Sequence, residues 1–561
     1  MIPMFEDKIL CICQELFGFT EGVRVSIPDY AHGHLTTNAL MVGAKKLKLD
    51  IGLAFNQLKE KLTQLPGIDS ITLDGGFCNI RLTDSVIFEN ISQILQMQSL
   101  YGSLTNNSEI KVNIEYISAN PTGPLHLGHL RGLYGDVLAN CLKFVGFDVT
   151  REYYINNAGN QVYVLGHSVY YQYCKLHGIE YPELTESYPG EHIVKIAQII
   201  DDTKLYDWNI QSDRELFIET SIRYMLDLAK KELDLLSITY DVWRYESDVH
   251  KDESVKQAID ILEDKGLIVE SILGEIKSKK GKMSNQEVKT LSIPDQAPKA
   301  ITKADGSYSY FAGDLGYHFD KMKRGFNWII DLFGADHDGH VNYLKKAVKS
   351  MRDDIRFDVI VCQIVDFKQN NQKMKFSKRG GIILRPSDIL EYLPDPAILR
   401  LVIASKKPDT HFTVDLDQIS KISMDNPFYY IQYAYARSCS VMKNGMKLYS
   451  NLDLDKYSPT HYTHEMTQLA YLLLQWPKEV KSMSQSLSVY MISAYLEKIS
   501  TQFHGIWNIG HESELKRWII SDDQAITQSR LRLVLAFQYV LGAGLQILGI
   551  KPYNRMPDQN E

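Results

Sequence analysis

The chain has 561 residues, more than one hydrophobic core ordinarily holds, so several domains are expected. Its 44% hydrophobic and 23% charged residues are an ordinary soluble composition. No run of about eighteen apolar residues offers a membrane span, and the N-terminal MIPMFEDKIL has no basic stretch ahead of an apolar one, so neither a membrane protein nor a secretory signal is expected. Lys and Arg number 61 against 69 Asp and Glu, a net charge of −8, which argues against a protein that coats nucleic acid indiscriminately but leaves room for local basic patches. Seven cysteines at irregular spacing predict reduced, mostly buried thiols in a cytoplasmic protein.

Residues 1–105 read as a separate α+β module. FEDKILCICQELF has helical spacing, and IDSITLDGGFCNIRL reads as strand, Gly-Gly turn and strand. YGSLTNNSE, from Tyr101 to Glu109, is a turn-rich connector. KVNIEYIS then has strand composition, and Pro121 and Pro124 prevent its continuation because each removes a ladder donor. From Leu130 the apolar positions Leu133, Val137, Leu138, Cys141 and Leu142 fall at helical spacing, and GFDVTREYYIN reads as the next strand. Strand, glycine-rich turn, helix and strand open an α/β nucleotide-binding fold.

Residues 190–275 read as mostly helical, and 277–300 as a polar, proline-punctuated loop. FNWIIDLFGADHDGH and FDVIVCQIVDF each carry a short apolar strand, which places a second α/β stretch before residue 415. From 416 to 561 the texture is helical. Ile492, Tyr495, Leu496, Ile499, Phe503 and Ile506 fit one helix face, and Leu531–Ile550 fits a buried helix.

PTGPLHLGHLRG holds two histidines three residues apart, His126 and His129. They can stabilise the turn, bind zinc, or grip an anion. Zinc lacks any Cys, Asp or Glu nearby in sequence. The anion reading follows from the position between a strand end and a helix start, where unpaired N–H groups and the positive helix end favour negative charge. Gly123 and Gly128 permit close backbone approach there, and two imidazoles can donate to a polyphosphate in its transition state.

This stretch resembles the His-Ile-Gly-His motif of class I aminoacyl-tRNA synthetases, with Leu127 in place of isoleucine. KFSKR, from Lys375 to Arg379, resembles the family's Lys-Met-Ser-Lys-Ser loop, with Phe376 and Arg379 substituted. EYISANPTGPLHLGHLRG, DGSYSYFAGDLGYHFDK, FGADHDGH, KKPDTHFTVDLD and NPFYYIQYAYARSCS resemble the arginyl-tRNA synthetase family in particular, and the resemblance runs over essentially the whole chain. It implies a Rossmann-like catalytic core at 106–415 with insertions, an α+β N-terminal tRNA-contacting domain at 1–105, and an all-helical anticodon-binding domain at 416–561.

The resemblance also implies roles. His126, His129, Lys375 and Lys378 would stabilise the phosphates. Gly123, Gly128, Gly334, Asp336 and Ser377 would complete the ATP site. Glu115, Asn120, Gln161, Tyr310, Asp314, Tyr317 and His337 would take L-arginine, with Asp314 as first candidate because a guanidinium needs a planar ionised acceptor. Gln432, Tyr435, Arg437, Tyr553 and Met556 would face tRNA(Arg). Where the family often has His and Tyr, this chain has Asp338 and His340. The implied reaction is activation of arginine by ATP and transfer to the tRNA 3′ end, with tRNA required for the first step. Mg²⁺ would ride with ATP, and no tightly bound cofactor, protein metal site, DNA or membrane partner is expected. The family implies a monomer. The alternative is a non-catalytic paralogue that only binds tRNA.

Overall fold

Two stretches of this chain alternate too little to be half-exposed strands and instead read as nearly continuous apolar runs: VNIE and WIIDLFG. In the computed structural model they lie side by side at the centre of a parallel sheet, which is where strands buried on both faces belong. The structure describes residues 2–28, 30–104, 107–200, 205–272, 287–294, 296–335, 338–374 and 384–557. They divide into two compact units.

One unit is residues 104–421 with 487–490. Its sheet is built from β1 (Lys111–Glu115), then helix α1 (Gly132–Phe144), β2 (Asp148–Ile155), β3 (Val242–Tyr245), helix α2 (Tyr310–Lys323), β4 (Trp328–Gly334), helix α3 (Asp338–Met351) and β5 (Arg356–Cys362). The order across the sheet is β5-β4-β1-β2-β3, parallel throughout. The chain therefore leaves β1 toward β2 on one side and later returns as β4 on the other. That reversal opens a crevice beyond the carboxyl ends of β1 and β4, the position where open α/β sheets take ligands.

Two sequence expectations change here. VWRY (Val242–Tyr245), inside a stretch read as helical, is the edge strand β3. Within 277–300, read as a loop, Glu287–Leu291 pairs antiparallel with Ile268–Ile272 and with Lys299–Ala300. The reason is burial: Val288, Thr290 and Leu291 are packed inside, and Leu291 joins a core with Leu262 and Ile293. Residues 273–286 lie outside the described residues.

The other unit is residues 1–103, 422–486 and 491–561, so the two ends of the chain fold together. A four-stranded antiparallel sheet with flanking helices forms the N-terminal part. Helices Pro427–Leu448, His464–Leu474, Trp476–Ser486, Tyr490–Glu512 and Gln524–Ile547 supply the C-terminal part. The two are joined by buried contacts. Phe88 stacks on Tyr462 at 3.5 Å between ring centroids, and the Arg532 guanidinium donates to the Phe88 carbonyl at 2.9 Å. The Tyr471 hydroxyl donates to the His34 carbonyl. Among the described residues, no helix is long and apolar enough to cross a membrane.

Candidate active site

The loop leaving β1 is held in a conformation that its own residues disfavour. Ile117 and Ser118 both have positive φ, 68° and 41°, and a β-branched residue there is strained. Neighbours over-determine the path. The Ser118 hydroxyl accepts from Tyr154 N–H at 3.1 Å, and the Tyr153 hydroxyl accepts from Ala119 N–H and donates to its carbonyl at 3.0 and 3.1 Å. Gly135 of α1 leaves room for the loop, since a Cβ there would stand 2.6 Å from Tyr116 Cγ. Asn120 accepts from Asn156, which ties the loop after β1 to the one after β2.

This loop delivers the two histidines as the cap of a short 3₁₀ turn, Leu127–Arg131. Gly128 N–H donates to His126 Nδ1 at 3.1 Å, and His126 N–H donates to His129 Nδ1 at 3.0 Å. Each Nδ1 is therefore an acceptor, and each neutral ring carries its proton on Nε2. The rings lie 4.0 Å apart, tilted by 35°, so two oriented N–H donors stand together at the crevice. Gly128 is needed for this: a Cβ would meet His126 Cε1 at 2.8 Å. Gly123 has open space around it, and Gly334 is the buried last residue of β4. Leu127 N–H donates to the Leu384 carbonyl at 3.2 Å, so the chain beyond the expected lysine loop returns to the histidine turn. Lys375, Ser377, Lys378, Asp336 and His337 lie outside the described residues.

Helix α2 supplies the second half of the crevice. Tyr310, Asp314, His318 and Lys321 fall at i, i+4, i+8 and i+11, one stripe along the helix. Exposure falls along that stripe, from 66% at Tyr310 to 0% at Lys321. At the mouth, the Tyr310 hydroxyl lies beside Gly159, just ahead of the exposed Gln161. Asp314 keeps 46% of its side chain open and has His340 Nδ1 3.9 Å away. Burial pushes its pKa up to about 7, Glu115, Asp331 and Glu246 push the same way, and His318 opposes them. The solvent that reaches this carboxylate screens part of that push. A fixed cation arriving here would meet an excess of negative charge.

The floor is a buried ion network. Lys321 Nζ donates to Glu115 at 2.7 Å and to Asp331 at 2.9 Å, and His318 Nε2 lies 2.7 Å from Asp331. Burial disfavours the Lys321 ammonium, yet Asp331 and Glu115 hold its pKa above the ordinary value. Burial would raise Asp331, but Lys321 and His318 outweigh it and hold the group at about 2. Glu115 is left raised, because burial and Asp331 exceed the pull of Lys321. Beside them, Arg324 makes a bidentate pair with Glu152 at 2.5 and 2.8 Å. Tyr317 donates to the same carboxylate at 2.5 Å and stacks on Tyr154 at 3.9 Å. Its hydroxyl is committed there, so Tyr317 shapes the floor and does not present a hydroxyl to the crevice. Lys321, His318, Asp331, Glu152 and Arg324 were not singled out from the sequence. The signal was available: helical spacing from Asp314 for two of them, and a carboxylate inside the apolar run WIIDLF for Asp331.

In the other unit, Gln432 is a buried member of Pro427–Leu448. It donates to the Lys551 carbonyl at 2.9 Å and accepts from Tyr553 N–H at 2.8 Å. The expectation that it touches RNA directly is corrected: with no exposed surface, it holds the C-terminal tail carrying the part-buried Tyr553 and Met556. Tyr435 lines a cavity of about 440 Å³ with Gln538, Tyr539 and Gln546. Arg437 donates to His504 Nδ1 at 2.8 Å, its guanidinium 5.6 Å from the Trp507 ring centroid.

Comparison with known proteins bears on all three parts. Residues 90–421 match the family model "tRNA synthetases class I (R), catalytic domain", residues 5–82 match "Arginyl tRNA synthetase N terminal domain", and residues 431–556 match "DALR anticodon binding domain". The arginine–tRNA ligase of Ruegeria sp. (strain TM1040) is 35% identical over 94% of this chain and 93% of its own length. The chain belongs to the arginyl-tRNA synthetase family. Another member, the arginine–tRNA ligase of Rickettsia rickettsii (strain Sheila Smith), is 33% identical over 95% of each chain. Among solved structures, the putative arginyl-tRNA synthetase of Campylobacter jejuni superposes with a TM-score of 0.71 at 25% identity, over 85% of this chain and all of its own. The Thermus thermophilus arginyl-tRNA synthetase shares the fold, with a TM-score of 0.73 at 18% identity over 99% of this chain and 100% of its own.

Proposed function

We propose that this member of the family is an ATP-dependent arginine–tRNA ligase whose chemistry is carried by His126 and His129. The supporting observation is the pair of oriented imidazole donors at the topological switch, on the same crevice as the under-neutralised carboxylate of Asp314. In the first step the arginine carboxylate attacks the α-phosphorus of MgATP. A P–O bond forms to the carboxylate, and the bond to pyrophosphate breaks. In the second, the terminal ribose hydroxyl of the tRNA attacks the carbonyl carbon and AMP departs. Neither step needs a covalent enzyme intermediate, so positioning and charge stabilisation do the work. His126 and His129 would donate to phosphate oxygens as charge develops, assisted by Lys375 and Lys378. Asp314 would take the guanidinium, Tyr310 and Gln161 would close the mouth, and Glu115 would sit behind with Asn120 at the loop edge. Gly334, Asp336 and His337 would form the adenosine rim. The family resemblance supports a monomer in the cytoplasm, and a first step that requires bound tRNA. The relatives support the ligase reading and not a non-catalytic paralogue.

Arginine-dependent exchange of pyrophosphate into ATP, run with and without tRNA, tests this. Exchange with arginine alone among the amino acids is expected, and only in the presence of tRNA. No exchange from folded protein that binds tRNA would reject the catalytic reading. Exchange without tRNA would reject only the RNA requirement.

Asp314→Asn should raise the half-saturating arginine concentration roughly 10- to 150-fold, the loss of about 1.5–3 kcal/mol for a hydrogen bond to an ionised partner. The wild type should also bind arginine more tightly as pH rises from 6 to 8. Its raised pKa leaves Asp314 partly protonated at the lower pH, whereas the guanidinium stays charged throughout. Asp314→Asn should flatten that profile. A variant with unchanged half-saturation and the same pH profile would remove Asp314 from recognition.

A further inference from the structure

The expected lysine motif runs from Lys375 to Arg379, and the described chain on either side of it is held in two different ways. On the entry side the backbone is part of a sheet. Gln372–Lys373 pairs with Val365–Gln369, and Met374 N–H donates to the Phe367 carbonyl at 2.8 Å. On the exit side a side chain takes that part. Glu232, near the end of helix Gln211–Leu235, accepts from the Ser387 N–H and from the Ser387 hydroxyl, both at 2.8 Å, across 155 residues of sequence. Glu232 is 6% exposed, and a buried carboxylate is costly unless its oxygens are bonded. Here each oxygen has a donor, and the carboxylate stands at the start of the short helix Pro386–Leu390, where negative charge is favoured.

Glu232 is one link in a closed ring of contacts. Just upstream of Ser387, the Leu384 carbonyl accepts from Leu127 N–H at 3.2 Å, between the two histidines. The histidine turn leads into α1, whose buried Asp136 pairs with the buried Arg400. Arg400 also donates to the carbonyls of Leu236 and Ser237 at 2.9 and 3.1 Å, directly after the helix that carries Glu232. The ring therefore runs from the histidine turn through Asp136, Arg400 and the end of that helix to Glu232, and back through Ser387 and Leu384. A closed ring fixes relative position where a single bond would leave a pivot, which is how supporting hydrogen bonds hold reacting groups in place.

We propose that Glu232 is a positioning residue for arginine activation: through Ser387 and Leu384 it fixes where the chain leaving the lysine motif meets the histidine turn, so that Lys375, Lys378 and the two imidazoles act on one triphosphate. Glu232 touches no substrate in this role. Stabilising the charge on departing pyrophosphate depends on donors placed in advance, and a misplacement of about 1 Å from a change far from the chemistry costs about 100-fold. The inference rests on the ligase reading, because it takes phosphate chemistry as the task being served.

The test uses the full-length protein and pyrophosphate exchange at saturating arginine, MgATP and tRNA. Glu232→Gln keeps the shape but turns one acceptor oxygen into an amide donor, and it should slow exchange about 10- to 100-fold. Ser387→Ala removes only the hydroxyl bond and should slow it about fivefold, whereas Ser387→Thr keeps a hydroxyl and should hold the wild-type rate. Because Ser387 acts through Glu232, the double variant Glu232→Gln/Ser387→Ala should be no slower than Glu232→Gln alone. The losses should fall on the maximal rate and leave the half-saturating arginine concentration unchanged. A merely structural residue would lower the melting temperature and leave the maximal rate of the folded enzyme as it was. In a Lys378→Ala background, which has already lost a donor being placed, Glu232→Gln should cost less than it costs the wild type. An unchanged maximal rate in folded Glu232→Gln, or the full factor again in the Lys378→Ala background, would overturn the proposal. If Glu232→Gln unfolds, the Ser387 variants decide: equal rates in Ser387→Ala and Ser387→Thr would overturn it. Failure of the ligase reading shows separately, as a wild type that does not exchange pyrophosphate.

Discussion

Replacing His129 with alanine should lower the rate of arginine activation about 100- to 1,000-fold, the usual loss of about 2.7–4 kcal/mol when one preorganised transition-state donor is removed. The size of the effect comes from geometry fixed before substrate arrives. Nδ1 of each imidazole is occupied by a backbone N–H, which sets the tautomer and aims Nε2–H without any cost of reorganisation during the reaction. The experiment must separate lost chemistry from a lost turn, since His126 is also the cap of the 3₁₀ turn. His126→Asn does this. Asparagine is a strong capping residue, so its side-chain oxygen can accept from Gly128 N–H while the imidazole donor is gone. His126→Asn should keep the melting temperature and still lose most of the exchange rate at saturating arginine, ATP and tRNA. Near-wild-type exchange in both His129→Ala and His126→Asn would mean that the pair is only a turn.

The parts of this molecule that could be read from residues alone are those where local signals agree with the final packing. KVNIE, the proline-bounded turn and the helix from Leu133 hold their places because strand composition, missing ladder donors and helical spacing all point one way. The same holds for Ile68–Asp74 and Phe77–Leu82 around their Gly-Gly turn, and for the face running from Ile492 to Ile506. What stayed hidden was set by tertiary position. Val242–Tyr245 is four residues long and half-exposed, so only its pairing with β2 makes it a strand. Glu287–Leu291 sits among lysines and a proline that masked its alternation. In the site, a motif located Asp314, His126 and His129, but the network beneath them joins β1, β2, α2 and β4. Nothing local in sequence says that Glu115 and Lys321, 206 residues apart, share a hydrogen bond. Gln432 shows the opposite limit. Its place in the first helix of the segment that resembles an anticodon-binding domain suggested contact, whereas burial assigns it to holding the tail.

The network itself yields the largest stability effect. Lys321→Met keeps much of the length and apolar bulk of the side chain but removes the ammonium between Glu115 and Asp331. Breaking a buried ion set by deleting one partner costs about 3–5 kcal/mol, because the remaining charges stay desolvated and unpaired. The dependence on pH distinguishes this cause from a simple packing defect. In the wild type, Asp331 is held at about 2, below its unfolded value, so its contribution is present at neutral pH and is lost only as the solution becomes strongly acidic. In the variant Glu115 lacks its counter-ion and Asp331 keeps only His318, so burial raises the folded pKa of Glu115 further above the unfolded value. The folded variant then holds protons that the unfolded chain releases, so it loses stability as pH rises. Urea unfolding of the two proteins should show a larger deficit at pH 7.5 than at pH 5. A packing defect would give the same deficit at both. Because Glu115 and Asp331 also add to the negative charge at Asp314, the deprotonated variant should still attract arginine at neutral pH wherever it remains folded. Its failure is expected in the denaturation curve before it is seen in recognition. A variant as stable as the wild type at pH 7.5 would mean that water or rearranged donors satisfy the two carboxylates, and that Lys321 is not what holds the floor of the crevice together.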